Sequence, residues 1–355
     1  MNDSLDTALR LLEAAAPEYS GGIVNHGQIV AGAMKELNRE ESILPWVSHY
    51  RRRLGNQCQA GKEIRENAWR RYLGRFEYCA AWNSFFARKT AEGEWRRLAG
   101  QWLARLAPGV SASGGQALIR TTHALRALES KDNPVRRKEL AHSLGYWAAR
   151  YRRLPGSLFC PAGGLKPSEA IHRVRRLPRS ARTRFGMVEK KLGNLWNFPP
   201  FRNSTRLVDG LERPDEFISD LVRTVMEVLL SNGKDLRTTV AFINAANLIS
   251  ESRRILPLLP RDGTRNMLLY VWQAAAGVYA ACGNSPPARS DLPVRDRVSG
   301  EKERNLVDEA VASGNEQLIE LAETCTRESG LNPAPVFPAA LHRAVRNLRE
   351  IDFLS

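Results

Sequence analysis

Histidines are the residues of this sequence best suited to acid–base chemistry or metal binding, and there are only six of them. His26 lies in Asn25-His26-Gly27, where asparagine and glycine indicate a turn at the start of a helix. His123 and His142 lie in mostly apolar helical patterns, and there a histidine is more often a hydrogen-bonded core residue than a ligand. Position alone therefore assigns none of the three a catalytic role.

The common catalytic signatures do not occur in this sequence and so assign no reaction to it. The sequence contains no HExxH metalloprotease motif, no GxGxxG after a strand pattern, no GxxxxGK[ST] phosphate loop and no GxSxG elbow. Any chemistry performed by this chain is therefore of a less common type.

The elements that must position these residues are helices, because apolar residues recur at helical spacing and alternating strand patterns are scarce. The helical segments are 60–106, 116–153, 214–232, 236–256, 264–283, 301–329 and 336–351. We predict an all-α fold, a bundle-like single large helical domain spanning 1–355. Its two halves would be 1–193 and 215–355, joined by a Pro/Gly-rich connection, with a mobile loop at 284–300.

Composition narrows the class of protein. A length of 355 residues with 43% hydrophobic content is enough for a substantial core. No run of about eighteen uncharged apolar residues occurs, and the first residues lack the pattern of a signal peptide. The five cysteines are scattered and form no CxxC pair, so we expect reduced thiols and a cytoplasmic location.

A formal net charge of +15 raises nucleic acid or an anionic membrane as a partner. The arginine clusters, however, sit inside amphipathic helical patterns beside tryptophan, leucine or tyrosine, which is typical of solvated helix faces. We therefore expect neither a nucleic acid nor a membrane as a partner. The oligomeric state is left open.

Scattered positions along the chain carry a resemblance to a known family. They are Asn25-His26-Gly27, Leu44-Pro45-Trp46, Trp69, Leu73-Gly74, Trp82, Phe85-Phe86, Trp95, Trp102, Leu118-Ile119-Arg120, His123-Ala124, Leu140-Ala141-His142, Tyr146-Trp147, Tyr270-Val271-Trp272 and Leu318 to Cys325. On these positions the chain resembles the questin oxidase-like family. Members of that family include fungal enzymes that oxidise and open anthraquinone-type polyketides.

The resemblance implies an all-helical enzyme with a histidine-lined pocket, which in some members is a non-haem iron site assisted by a carboxylated lysine. This sequence departs from the pattern at four places. Gln116, Thr238 and Asn244 stand where histidines are expected, and the C-terminal run that should carry the lysine reads Gln317 to Glu320. Several expected ligands are thus neutral polar residues here.

Three outcomes remain open. A metal set of His26, His123, His142 and Glu320 would suit Fe(II), Mn(II) or Zn(II). Alternatively a pocket persists without metal, with a histidine as general base. In that pocket the catalytic residues are His26, His123, His142, Gln116 and Arg120, and the substrate-binding residues are Asn25, Thr238, Asn244 and Gln317. The third outcome is a non-catalytic descendant of the same scaffold.

We therefore expect an oxidoreductase-like enzyme of specialised metabolism that acts on an aromatic or heteroaromatic small molecule, by oxygen insertion or oxidative ring cleavage. The alternatives are a small-molecule or partner-binding protein and a metal-free cyclase or hydrolase. The cofactor is Fe(II) or none, and a need for NADPH or a flavin partner is left open. We also expect His26 and His123 to share one cavity, and Arg120 and Arg126 to form ion pairs between helices.

Overall fold

The computed structural model describes residues 3–56, 63–156, 163–183, 186–208, 212–287 and 300–348. It confirms the all-α prediction: the strands among these residues are β1 (Glu18–Tyr19) and β2 (Ile23–Val24), which pair antiparallel as a short hairpin. Most of the expected mobile loop 284–300 lies outside the described residues. Cys58 and Cys160 lie outside them as well.

The described residues fall into two compact units. Residues up to Arg152 form the first unit together with Pro257–Pro260, and Arg153–Leu256 with the residues from Arg261 onward form the second. The division therefore comes at Arg152, whereas the sequence suggested halves that meet near 194–214.

The first unit contains seven α-helices among its described residues. They are α1 (Ser4–Leu12), α2 (Gly27–Glu36), α3 (Glu40–Tyr50), α4 (Cys79–Glu92), α5 (Trp95–Leu106), α6 (Gln116–Ser130) and α7 (Pro134–Ala149). Ahead of α4, where a continuous helical pattern was predicted from residue 60, the chain instead forms 3-10 turns at Glu66–Tyr72 and Phe76–Tyr78. Gly74, with φ of +71°, separates these two turns.

The described part of the second unit contains eight α-helices. They are α8 (Pro167–Ala170), α9 (Val188–Gly193), α10 (Pro214–Asn232), α11 (Leu236–Ile255), α12 (Arg261–Cys282), α13 (Gly300–Ala312), α14 (Glu316–Leu331) and α15 (Val336–Leu348). The predicted segment 301–329 is thus two helices. The break falls at Ser313 to Asn315, where Gly314 has φ of +65° and Asn315 caps the start of α14.

Local sequence signals mark where several of the helices begin. Helix α10 begins at the residue predicted, with Pro214 in the first turn and two acidic residues at the positive end of the helix dipole. Asn133 caps α7 by accepting the N–H of Arg136, and Asp235 caps α11 by accepting that of Thr238. These caps fix where the polar residues of each helix point.

The core of the first unit surrounds α6, in which every residue from Gln116 to Leu128 is buried. Elsewhere in this unit, aromatic rings of α4, of α5 and of the 3-10 turn Glu66–Tyr72 pack edge-on or stacked. The cluster comprises Trp69, Trp82, Phe85, Phe86 and Trp102.

Buried arginine ties α1 to the rest of the first unit. The guanidinium of Arg136 has no exposed surface and donates to Asp6 at 2.6 Å, to the Ala127 carbonyl at 2.6 Å and to Ser130 at 2.9 Å. It also reaches Asp3. These bonds satisfy a charge that could not otherwise be buried.

Within the described residues, no helix combines the length and the apolar character needed to cross a bilayer.

Candidate functional site

Two contacts fix the register of α2 against α6. A methyl group placed on Gly32 would lie 2.5 Å from Nδ1 of His123, so the ring packs directly against that glycine. One turn further along both helices, Glu36 lies 3.6 Å from Arg126. From the first contact to the second, the residue number rises on α2 and also on α6. The two helices therefore run parallel, and their amino ends lie at the same end of the unit.

A third contact supports this arrangement from outside the helices. Tyr146 of α7 donates at 2.7 Å to Ser113, which lies just before α6. The same hydroxyl contacts Glu18 at 2.9 Å, in the hairpin that leads into α2. The segments that precede α2 and α6 therefore meet at one place.

Helix α7 runs antiparallel to α6. Arg136 bonds Ala127, Glu139 bonds Arg120 and Tyr146 bonds Ser113, so the partner number falls as the α7 number rises. His142 lies between Glu139 and Tyr146 on the same face of α7, since residues three and four apart share a face. It is therefore level with the first turn of α6, which carries Gln116.

His26 stands at the start of α2, as the sequence predicted. Its backbone N–H donates to the hydroxyl of the buried Tyr50 at 3.0 Å. Asn25 stiffens the turn because its amide donates to the Ala16 carbonyl at 3.0 Å and accepts the N–H of Gly27 at 2.9 Å. Both side chains are buried. Asn25 thus has a structural role in positioning His26.

Gln28, one residue into α2, has an unsatisfied side chain. It is 4% exposed, and its Oε1 has no hydrogen-bond partner. A buried amide oxygen without a donor costs about 1–3 kcal/mol, which a bound donor group would recover. From the sequence alone, Gln28 is a candidate for the rim of a pocket beside His26.

The residues at the cap positions, His26 for α2 and Gly115 for α6, make no side-chain capping hydrogen bond. The first N–H of each helix nevertheless has a partner, because Asn25 Oδ1 accepts that of Gly27 and the Ser113 carbonyl accepts that of Gln116. Gly115 has φ of +100°, which lets the chain turn sharply into α6. The partial positive charge at the two amino ends favours an anionic oxygen.

His123 lies further along α6. It is seven residues beyond Gln116, which is about 10 Å along a helix axis. Both of its ring nitrogens face Arg126 Nη2, at 2.7 Å and 3.2 Å. Its ring is held between Gly32 and a guanidinium, which suits a role in helix packing.

The ion pair expected for Arg120 is confirmed and joins α6 to α7. Its guanidinium holds the Glu139 carboxylate through two bonds, at 2.6 Å and 2.9 Å, and both groups are buried. Glu139 was not among the predicted site residues, although Glu139 and His142 have the Glu-x-x-His spacing of carboxylate-bridged metal sites. Here both carboxylate oxygens face Arg120 instead.

The surroundings of His142 keep its ring neutral. Burial, followed by the nearby charges of Arg120 and Lys138, lowers the pKa of His142 to about 3. A neutral imidazole donates through one nitrogen and accepts through the other, so His142 can hydrogen-bond a ligand across the physiological pH range.

The residues present do not fit a metal ion well. Among the described residues, no three His, Cys, Asp or Glu side chains form a group that could hold one. His123 and His142 each have a guanidinium close by, and a second cation there would be repelled. The set of His26, His123, His142 and Glu320 therefore gains no support as a ligand group.

The other predicted residues belong to the second unit. Thr238 lies in the first turn of α11, where its hydroxyl donates to Asp235 at 2.9 Å. Asn244 is buried on the same helix, and Gln317 and Glu320 are buried on α14. Glu320 accepts from Asn247 at 3.4 Å.

The described residues form an all-α protein in which buried polar side chains lie near the amino ends of two parallel helices. Neither the protein-family models nor the curated proteins compared with this chain include a match. The resemblance to the questin oxidase-like family therefore stays a prediction.

Proposed function

We propose that this chain is an oxidoreductase-like enzyme of specialised metabolism, similar to the questin oxidase-like family, that oxidises an aromatic or heteroaromatic small molecule. The observation that carries the proposal is the buried, unpartnered Oε1 of Gln28 in the first turn of α2. The resemblance supplies the reaction class, and the site supplies the groups that would bind a substrate.

The polar groups of the site are complementary to a hydroxylated substrate. A substrate O–H or N–H donates to Gln28, and an oxygen that becomes negative is stabilised by the positive amino ends of the α2 and α6 dipoles. His26 is the general base that accepts the substrate proton, because it stands at the first of these ends. Neutral His142 supplies a further hydrogen bond to the substrate.

Dioxygen is the oxidant. In oxygen insertion at a CH₂ group, one oxygen atom becomes the product carbonyl, and the other leaves as water with the two substrate hydrogens. In ring cleavage, both oxygen atoms enter the product. Neither reaction requires an external reductant, and the deprotonated substrate supplies the electrons.

Oxygen uptake with a panel of hydroxyanthraquinones and simpler phenols tests the proposal. We expect uptake with at least one of them, with kcat reduced by about 10²-fold or more in His26→Ala. Gln28→Leu should mainly raise KM, because it removes a binding contact and leaves the base in place. His49→Gln, which changes an exposed histidine of the same unit, is the control.

Two results would contradict the proposal. One is the absence of oxygen uptake across the panel from folded protein. The other is uptake that the His26 and Gln28 variants leave unchanged.

Elemental mass spectrometry after anaerobic addition of Fe(II) completes the test, and we expect far less than one iron per chain.

A further inference from the structure

The seam between α11 and α14 in the second unit is lined by buried polar side chains. Asn247 Nδ2 donates to Glu320 Oε2 at 3.4 Å, and further along Arg327 donates to Glu251 at 2.6 Å. The numbers rise together on both helices, so α11 and α14 run parallel along this seam. Their polar residues therefore meet level by level.

At the carboxyl end of the seam, arginines engage the carboxylates. Arg327 contacts Glu251 at 2.6 Å and Glu323 at 3.3 Å, while Arg253 contacts Glu328 at 3.3 Å. The surrounding carboxylates raise the pKa of Arg327, which stays charged although it is buried. This half of the seam is built as an ion-pair network.

The amino end of the seam carries two buried acceptor atoms without a hydrogen-bond partner. Glu316, one turn before Glu320 on α14, is 4% exposed, and its Oε2 has no hydrogen-bond partner. Asn247 is 1% exposed, and its Oδ1 also has none, although its Nδ2 is used by Glu320. Glu316 favours the positive end of α14, but that does not explain why its second oxygen is buried without a donor.

We propose that the amino end of this seam binds the ammonium or guanidinium group of a small organic cation. Asn247 Oδ1 and Glu316 Oε2 accept its N–H groups, and the carboxylates of Glu316 and Glu320 balance its charge. The site lies wholly within the second unit and does not depend on the function proposed for the first.

The chemistry of the acceptors selects this class of ligand. Two buried oxygens without donors require N–H or O–H groups, and a carboxylate beside them favours a positive charge.

Calorimetric titration of the full chain with putrescine and agmatine tests the proposal. Butane-1,4-diol is the neutral control, and tetramethylammonium carries charge without N–H donors. We expect saturable binding of putrescine or agmatine, with neither control bound. Glu316→Gln should weaken that binding about tenfold or more, as for loss of a hydrogen bond to a charged group. Glu309→Gln makes the same charge change at an exposed position of α13 and should leave it unchanged.

A second measurement separates ligand binding from a structural role. Without ligand, Glu316→Gln should unfold at about the same temperature as the parent chain, because the amide keeps the shape of the side chain and removes the charge of a buried carboxylate with an unsatisfied oxygen. Asn247→Leu also removes the donor of the buried Glu320 and should be less stable than the parent, so Glu316→Gln is the variant that separates the two roles. Both should lose the stabilisation that the amine gives the parent. The proposal is overturned if no amine binds, if tetramethylammonium binds equally well, or if the Glu316 and Glu309 variants behave alike.

Discussion

At the scale of single residues, the two α6 contacts of greatest consequence are both with arginine. Arg120 binds Glu139 and, after burial, contributes to the lowered pKa of His142, while Arg126 faces both ring nitrogens of His123. Each pairing leads to a measurable property.

The neutral state of His142 predicts a loss of stability in acid. A histidine has a pKa of about 6.5 when unfolded, but that of His142 in the folded chain is about 3. As pH falls below 6.5 the unfolded chain takes up a proton that the folded chain refuses, so stability falls. Between pH 8 and pH 5 this contributes a loss of about 2 kcal/mol.

The measurement is urea unfolding at several pH values. The variant His142→Gln should lose about 2 kcal/mol less than the parent over this range, whereas His49→Gln, at an exposed position, should match the parent. Equal slopes for the His142 variant and the parent would show that this imidazole titrates normally.

The pair of Arg120 and Glu139 predicts a strong asymmetry between single and double substitution. Arg120→Met leaves a buried carboxylate without its partner and should cost about 3–5 kcal/mol in the free energy of unfolding. Adding Glu139→Leu removes that charge, so the double variant should recover most of the loss. Chemical denaturation measures both, and a double variant as unstable as the single one would contradict this reasoning.

At the scale of helices, the close approach of α2 and α6 depends on a residue without a side chain. Gly32→Ala would place a methyl group 2.5 Å from Nδ1 of His123, so the ring or the helix must move. We expect a destabilisation of about 1–3 kcal/mol. In the background of His123→Ala the same substitution should cost much less.

Thermal unfolding of the four chains in this cycle gives the coupling between the two positions. Gly330→Ala is the matched control, because Gly330 is also helical and a methyl group there meets no atom within 4 Å. An additive cycle would mean that the two helices do not touch through this ring.

The sequence was informative about where helices lie and less so about which of their faces meet. Helix α10 has the predicted bounds, because proline, acidic residues and apolar spacing agree there. The break between α13 and α14 was missed because apolar spacing continues across Ser313 to Asn315, although Gly314 marked it. Local signals therefore specify the elements of this fold well.

The site depends on pairings between residues far apart in the chain, which one sequence does not supply. Glu139 beside Arg120, Gly32 beside His123 and Asn247 beside Glu320 each required the register of two helices. An unsatisfied oxygen such as that of Gln28 is a property of burial. These features can be identified only once the packing of the helices is known.

At the scale of the whole molecule, part of the excess of basic residues consists of arginines that pack on aromatic rings. Guanidinium groups lie over tryptophan rings, with Arg70 4.5 Å from the Trp69 centroid and Arg96 4.4 Å from that of Trp95. In such contacts the arginine stem packs on the ring and the guanidinium charge is attracted to the ring face. A net charge of +15 nevertheless attracts polyanions.

We therefore expect weak DNA binding that depends only on charge. Because counterion release governs such binding, affinity for labelled duplex DNA should fall steeply between 50 mM and 200 mM salt, by about 10³-fold for six phosphate contacts. Fluorescence polarisation with two unrelated duplexes measures this, and equal affinities are expected. Tight retention of one duplex at high salt would instead support a nucleic-acid partner.

The bonds between Arg136 and Asp6 have a consequence for biosynthesis. The two residues are 130 positions apart, so Asp6 leaves the ribosome long before its partner exists. At roughly 5–20 residues per second, the start of the chain waits on the order of ten seconds for that arginine. During this interval the apolar face of α1 has no final partner on α7, and a chaperone that shields nascent chains would have its greatest effect there.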